Sequence, residues 1–110
     1  MRAKRRYLGV RVRSRGGRPS PAAVHGTVHT ALEMLYGQIE SARANLKLVW
    51  FDESKGELVL RCSLSSVWRV ILAASSVSEV NGVPVALDVV TASGSIRKVK
   101  ERLRAPTPHS

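Results

Sequence analysis

Thirteen of the eighteen lysine and arginine side chains fall in two short tracts. Residues 1–18 hold Arg2, Lys4, Arg5, Arg6, Arg11, Arg13, Arg15 and Arg18 and no acid, and residues 97–104 hold Arg97, Lys98, Lys100, Arg102 and Arg104 against Glu101 alone. The net charge is +10, so the rest of the chain is slightly acidic and the excess cation is confined to the two ends. The chemistry open to such tracts is recognition of a polyanion, of which nucleic acid is the commonest. Arginine outnumbers lysine 13 to 5, and a guanidinium offers a planar fork to phosphate and a flat face to a base. Candidate RNA contacts in the first tract are Lys4, Arg5, Arg6, Arg11 and Arg13, with Tyr7 the one ring expected to be exposed for stacking. In the second they are Arg97, Lys98, Lys100 and Arg104, following Ser93, Gly94 and Ser95 at a helix start whose free N–H groups suit a phosphate.

Other constellations fall short of an active site. His25 and His29 stand four apart on a helix, a spacing that holds metals, but no zincin-like pattern accompanies them, and both read as solvated helix residues. The acids are scattered, with Asp52 and Glu53 in a turn, and no pair reads as a general acid and base. Arg15-Gly16-Gly17-Arg18 lacks the ending of a phosphate-binding loop, and no Gly-x-Ser-x-Gly elbow occurs. No catalytic residue and no protein-bound cofactor are therefore expected.

The elements that position the cations follow from periodicity. From Arg5 to Arg13, Leu8, Val10 and Val12 alternate with Tyr7, Gly9, Arg11 and Arg13, which predicts a half-buried strand with a basic outer face. Ser20 and Pro21 open a helix whose core face carries Val24, Val28, Ala31, Leu32 and Leu35, with Gly37 as its stop. Leu46–Phe51 predicts a largely buried strand, the segment 52–56 a hairpin turn, and Glu57–Cys62 a third strand, with Leu58, Leu60 and Cys62 on one face and Val59 and Arg61 on the other. Ser63 or Ser65 caps a second helix bearing Leu64, Val67, Trp68, Ile71, Leu72 and Ala74. Val67 and Val70 are assigned to neither core nor interface. Asn81-Gly82 marks a turn, Val83–Val90 a last strand, and Ile96, Val99 and Leu103 a short basic helix.

The order β-α-β-β-α-β then α predicts an α+β two-layer sandwich of ferredoxin-like topology, four antiparallel strands with two helices on one face. The first and last strands need not be neighbours in that reading, so a single merged basic patch is an open expectation. RNA recognition motifs share the topology and stack bases on sheet aromatics. Here the third strand carries none, and Trp50, Phe51 and Trp68 are expected in the core, which favours phosphate contacts to structured RNA over a stacking platform.

At 110 residues the chain reads as one domain over 1–104 with a loose tail over 105–110. The single cysteine, Cys62, excludes an internal disulfide and fits a reducing compartment, so a cytoplasmic location is expected. No apolar run approaches the roughly 20 residues of a membrane span, and no signal-peptide segment follows the basic start.

Three stretches in register resemble a known family: Lys4-Arg5-Arg6-Tyr7-Leu8, then Gly56-Glu57-Leu58-Val59-Leu60-Arg61-Cys62, then Gly94-Ser95-Ile96-Arg97. Together they look like ribonuclease P protein component 2, archaeal counterpart of a eukaryotic ribonuclease P and MRP subunit. The resemblance implies a small fold of RNA-recognition-motif-like topology in a ribonucleoprotein that removes the 5′ leader of precursor tRNA. It implies catalysis by the RNA subunit with magnesium. It also implies pairing with ribonuclease P protein component 3, and a homodimer within a 2:2 assembly. Carried over residue by residue, it points to Arg5, Arg6 and Arg97 for phosphate, Ile96 for packing and Gly94 for a backbone need. Arg61 is left between an RNA contact and an ion pair on the sheet. A generic RNA-binding or ribosome-associated domain of the same topology is the alternative. A small-molecule-binding regulatory domain and a protein-only nuclease are weaker readings.

Overall fold

Alternation in the first basic tract does produce a strand, and the rest of the sheet assembles on both of its edges. The computed structural model describes residues 4–105. Its elements are β1 (Arg5–Ser14), α1 (Pro21–Ala44), β2 (Lys47–Asp52), β3 (Glu57–Ser63), α2 (Val67–Ser76), β4 (Glu79–Val80), β5 (Val83–Ser93) and α3 (Ile96–Arg104). The tail expected over 105–110 lies outside the described residues except for Ala105.

The sheet order is β2-β3-β1-β5-β4, with every neighbouring pair antiparallel. This is the expected ferredoxin-like arrangement with a fifth, two-residue strand at one edge. Asn81 and Gly82 both take positive φ, 49° and 82°, the backbone of a two-residue hairpin, so this turn pairs Val80 with Val83. The last strand reaches Ser93 rather than Val90, and it pairs with β1 from Tyr7–Ser93 to Ser14–Val85. The first and last strands are thus neighbours, and β1 is the centre of the sheet.

Two cores result. Leu8, Val10, Leu58 and Leu60 meet Val24, Val28, Leu32 and Val70 of α1 and α2 on one face. On the other face α3 lays Val99 and Leu103 over Val59, with Tyr7, Trp50 and Ile96 packed around them. Gly9 makes that approach possible: a Cβ there would lie 2.9 Å from Val99 Cγ1 and 3.2 Å from Leu103 Cγ. The sheet face that an RNA recognition motif leaves open is covered here by a helix.

Helix α1 departs from expectation at Gly37. That residue is non-helical (φ 87°, ψ 171°), but the chain resumes the helix and ends at Asn45, whose left-handed backbone donates its N–H to Ala42. The glycine is a kink rather than a stop because the segment beyond it buries Ser41 and Ala44. Ser20 caps the start as expected, its Oγ accepting from Ala23 N–H at 3.1 Å. Neither Ser63 nor Ser65 caps α2, which follows a single 3-10 turn, Leu64–Ser66, without a side-chain cap. Ser63 Oγ instead donates toward the Arg43 carbonyl, at 3.0 Å.

Several residues expected in the core are not there. Trp68 is 76% exposed, and Leu35 and Phe51 are exposed as well. Trp50 is half-buried under α3, and β2, an edge strand with a bulge near Val49, is only partly covered. Val70 is core, and Val67 packs partly against it. His25 and His29 are not simply solvated. Nε2 of His25 lies 2.9 Å from the Leu46 carbonyl, and His29 sits 3.2 Å from both Glu33 and Ser41.

Candidate nucleic-acid interface

Arg5, Arg11 and Arg13 of β1 lie on the same side of the sheet as the basic helix α3. Helix α3 starts beside the Arg5–Tyr7 end of β1 and finishes beside Arg11, so a strand and a helix that both carry cations are laid side by side. At the start, the Arg6 guanidinium packs next to Gly94, where a Cβ would stand 3.3 Å from Nη1. At the finish, Arg11 Nη2 donates to the Leu103 carbonyl at 2.9 Å and to that of Ala105 at 3.3 Å, and its Nε is 3.6 Å from the buried Glu57 carboxylate.

The predicted residues therefore divide by what they already hold. Arg11 is a latch on the C-terminus of α3, where a cation also complements the helix dipole. Arg13 is held in a two-bond fork by Asp88, at 2.7 and 3.2 Å, beside a shallow groove that it lines with Arg15. Arg97, almost fully exposed, pairs with Glu101 one turn along at 3.2 Å, a contact weak enough in water to be exchanged for phosphate. Lys100 sits 5.2 Å from the Trp50 ring centre, a cation–π contact that fixes it over the second core. Lys4, Arg5, Lys98 and Arg104 are exposed. Ser95 caps α3, accepting from Lys98 N–H at 3.4 Å, and Ser93 Oγ accepts from Ser95 N–H at 3.1 Å.

Beyond the start of α3 the sheet is uncovered, and there a cross-strand row runs Lys47, Arg61, Tyr7, Ser93 through β2, β3, β1 and β5. A cleft of about 580 Å³ opens on this row, lined by Arg5, Tyr7 and Arg61 from the sheet, Gly94 at the foot of α3, and Arg43 and Asn45 from the end of α1. No carboxylate lines it. Among the described residues neither Arg5 nor Arg61 has an acidic partner, so the ion-pair alternative for Arg61 is not what the sheet provides. Arg43 is tied only to Glu40, at 3.2 Å on the surface. Cys62 also touches the cleft, but burial pushes its thiol up to about 11, which keeps it protonated and unreactive.

Sequence reasoning missed Arg43, Asn45 and Lys47. A signal existed: Arg43-Ala44-Asn45 is a basic last turn followed by a left-handed residue, a helix ending in its own right. Placing the stop at Gly37 removed these residues from view. Tyr7 is half-buried rather than open, with part of its surface on the second core and part on the cleft.

The described residues contain no cluster of three or more His, Cys, Asp or Glu side chains that could hold a metal ion. Nor do they include a helix long and apolar enough to cross a membrane.

Comparisons with known proteins bear on the family and the fold. The model of the Rpp14/Pop5 family matches residues 6–104. A Pyrococcus furiosus protein named ribonuclease P protein component 2 is 28% identical over 102 residues, spanning 93% of this chain and 84% of its own. The protein of that name from Methanosarcina acetivorans is also 28% identical, over 93% of this chain and 75% of its own. Among solved structures, a chain in the cryo-EM structure of yeast ribonuclease MRP superposes with a TM-score of 0.68, covering 94% of this chain and 93% of its own. At 14% identity that likeness is one of fold.

Proposed function

The chain belongs to the Rpp14/Pop5 family of ribonuclease P and MRP protein subunits, and from that premise we propose that it is the ribonuclease P subunit that supports the catalytic RNA during removal of the 5′ leader from precursor tRNA. The observation that carries this reading is the side-by-side placement of β1 and α3, which brings Arg5, Arg11 and Arg13 to the side of the sheet that carries the basic helix. Positive charge spread along a strand and a helix suits the backbone of a folded RNA. Arg5, Arg6 and Arg97 are the residues we assign to phosphates, with Lys4, Lys98 and Arg104 adding to the field.

The protein's part is to bind and neutralise; the chemistry belongs to the RNA. Magnesium is assigned to the RNA active site, as the resemblance to ribonuclease P protein component 2 implies. The place of action is the cytoplasm. The protein partner is ribonuclease P protein component 3, and the assembly is 2:2. Exposed Met34, Leu35 and Ile39 on α1, with Leu64, Trp68 and Leu72 at α2, give the helical layer an apolar surface on the side away from the cations, and such surfaces mark protein contacts. We place component 3 there.

Reconstitution tests the reading. The chain, its component 3 partner and the cognate RNA are mixed with precursor tRNA at limiting magnesium, and 5′ cleavage is scored. Addition of the protein pair is expected to speed cleavage, and the triple change of Arg5, Arg6 and Arg97 to Ala to lower that stimulation about tenfold or more, as the loss of several phosphate contacts requires. Tight RNA binding with no stimulation would return the chain to the class of general RNA-binding domains.

A further inference from the structure

The cleft beyond the start of α3 has properties that general phosphate binding does not call for. It is concave, and its volume of about 580 Å³ falls in the range of sites that enclose a small ligand. A duplex presents two regular rows of phosphates and needs an extended surface; a cleft of this size accepts a single unit. Its walls are also chemically mixed. Arg5, Arg43 and Arg61 bring three guanidinium groups with no carboxylate among the lining residues, Tyr7 brings an aromatic ring, and the exposed Asn45 brings a side-chain amide that both donates and accepts.

We infer that this cleft holds one unpaired nucleotide of an RNA strand, its base against Tyr7 and its flanking phosphates on Arg5, Arg43 and Arg61. Protein sites that take unpaired nucleotides combine these same parts, a ring or guanidinium plane for the base and cations for the backbone. The elements are disposed to suit. Gly94 and the capped start of α3, the positive end of its dipole, stand on one side. The end of α1 stands on the other, held to β3 by the bond from Ser63 to the Arg43 carbonyl. Arg61 lies between Tyr7 and Lys47 in the cross-strand row, so the base and phosphate positions are set by one rigid register. The inference rests on the RNA-binding role proposed above and narrows it: most of the basic surface takes paired RNA by its backbone, and this one place takes a nucleotide that has left the helix.

The experiment compares binding of the full chain to a short single-stranded RNA and to a blunt-ended duplex of the same composition, at one salt concentration. Wild type is expected to prefer the single strand. Arg61→Ala and Arg43→Ala should each weaken single-strand binding about tenfold and leave duplex binding within about twofold, whereas Arg97→Ala, outside the cleft, should weaken both alike. Tyr7→Phe keeps the ring and should keep the preference; Tyr7→Leu should lose it, and because Tyr7 also packs on the second core, the Arg43 and Arg61 changes separate that loss from a loss of folding. Equal losses on both RNAs from the Arg43 and Arg61 changes, or a wild-type preference for the duplex, would overturn the inference. The subunit role would survive those results so long as wild type still stimulates precursor-tRNA cleavage. Absence of both RNA binding and stimulation in wild type would remove the two together.

Discussion

Two arginines of the first strand, two residues apart on the same face, do different work, and the difference comes from what lies opposite. Arg13 meets Asp88 on an exposed part of β5, whereas Arg11 reaches the last carbonyls of α3 and the buried carboxylate of Glu57. Removing Arg11 leaves Glu57 without that partner and frees the end of the helix. Hydrogen bonds from a charged donor to part-buried acceptors contribute about 1.5–3 kcal/mol. Arg11→Ala is therefore expected to lower unfolding stability in urea by about 2 kcal/mol and to open α3 to trypsin, while Arg13→Ala changes stability by less than about 1 kcal/mol. A stability loss for Arg11→Ala no larger than that for Arg13→Ala would show that α3 is held by its apolar contacts alone. The residue type was plain in the sequence; the role was not, because it depends on a helix ninety residues downstream folding back over the strand.

At the level of elements, the kink in α1 sets the position of the cleft. Gly37 sits at φ 87° and ψ 171°, a region essentially reserved for glycine. Gly37→Ala either strains that backbone or straightens the helix, and straightening moves Arg43 and Asn45 away from Tyr7. A loss of about 1–3 kcal/mol in stability is expected, together with loss of any preference for single-stranded RNA. Retained stability with an intact preference would mean that the kink is incidental. Elements with a strict period were legible beforehand. Leu8, Val10 and Val12 give β1, and Val24, Val28 and Leu32 give the buried side of α1. Signals with two meanings were not: a left-handed glycine marks a kink as readily as a stop, and Asn81-Gly82 marks a turn whether or not strands flank it. The docking of α3 over Gly9 left no periodic trace, because the absence of a side chain shows its purpose only when the opposing Val99 and Leu103 are in place.

Across the whole molecule, most of the cations of the described residues lie along β1 and α3, and most of the exposed large apolar side chains lie on α1 and α2. Trp68 is the largest of these, and aromatic anchors of this kind carry much of the energy of protein interfaces. Trp68→Glu is expected to leave the melting temperature nearly unchanged, since the ring is mostly in water, and to weaken capture of component 3 by at least about tenfold. Undiminished capture would move the protein interface elsewhere. The charge of the basic side was readable from composition, whereas the exposed apolar face of α1 and α2 was hidden by the assumption that tryptophans at helical spacing belong to a core. The central place of β1 carries a further consequence for synthesis. The first strand to be made has its two neighbours, β3 and β5, encoded well behind it, and the helix that covers its basic face comes last of all. During translation that arginine-rich segment can pair with β3 about midway, but its other edge and its basic face stay uncovered until β5 and α3 have emerged. Folding is therefore expected to be a late, all-or-none event, and a chain cut before Ser93 to lack a stable sheet. RNA present near the ribosome would meet the bare strand before the protein has closed around it.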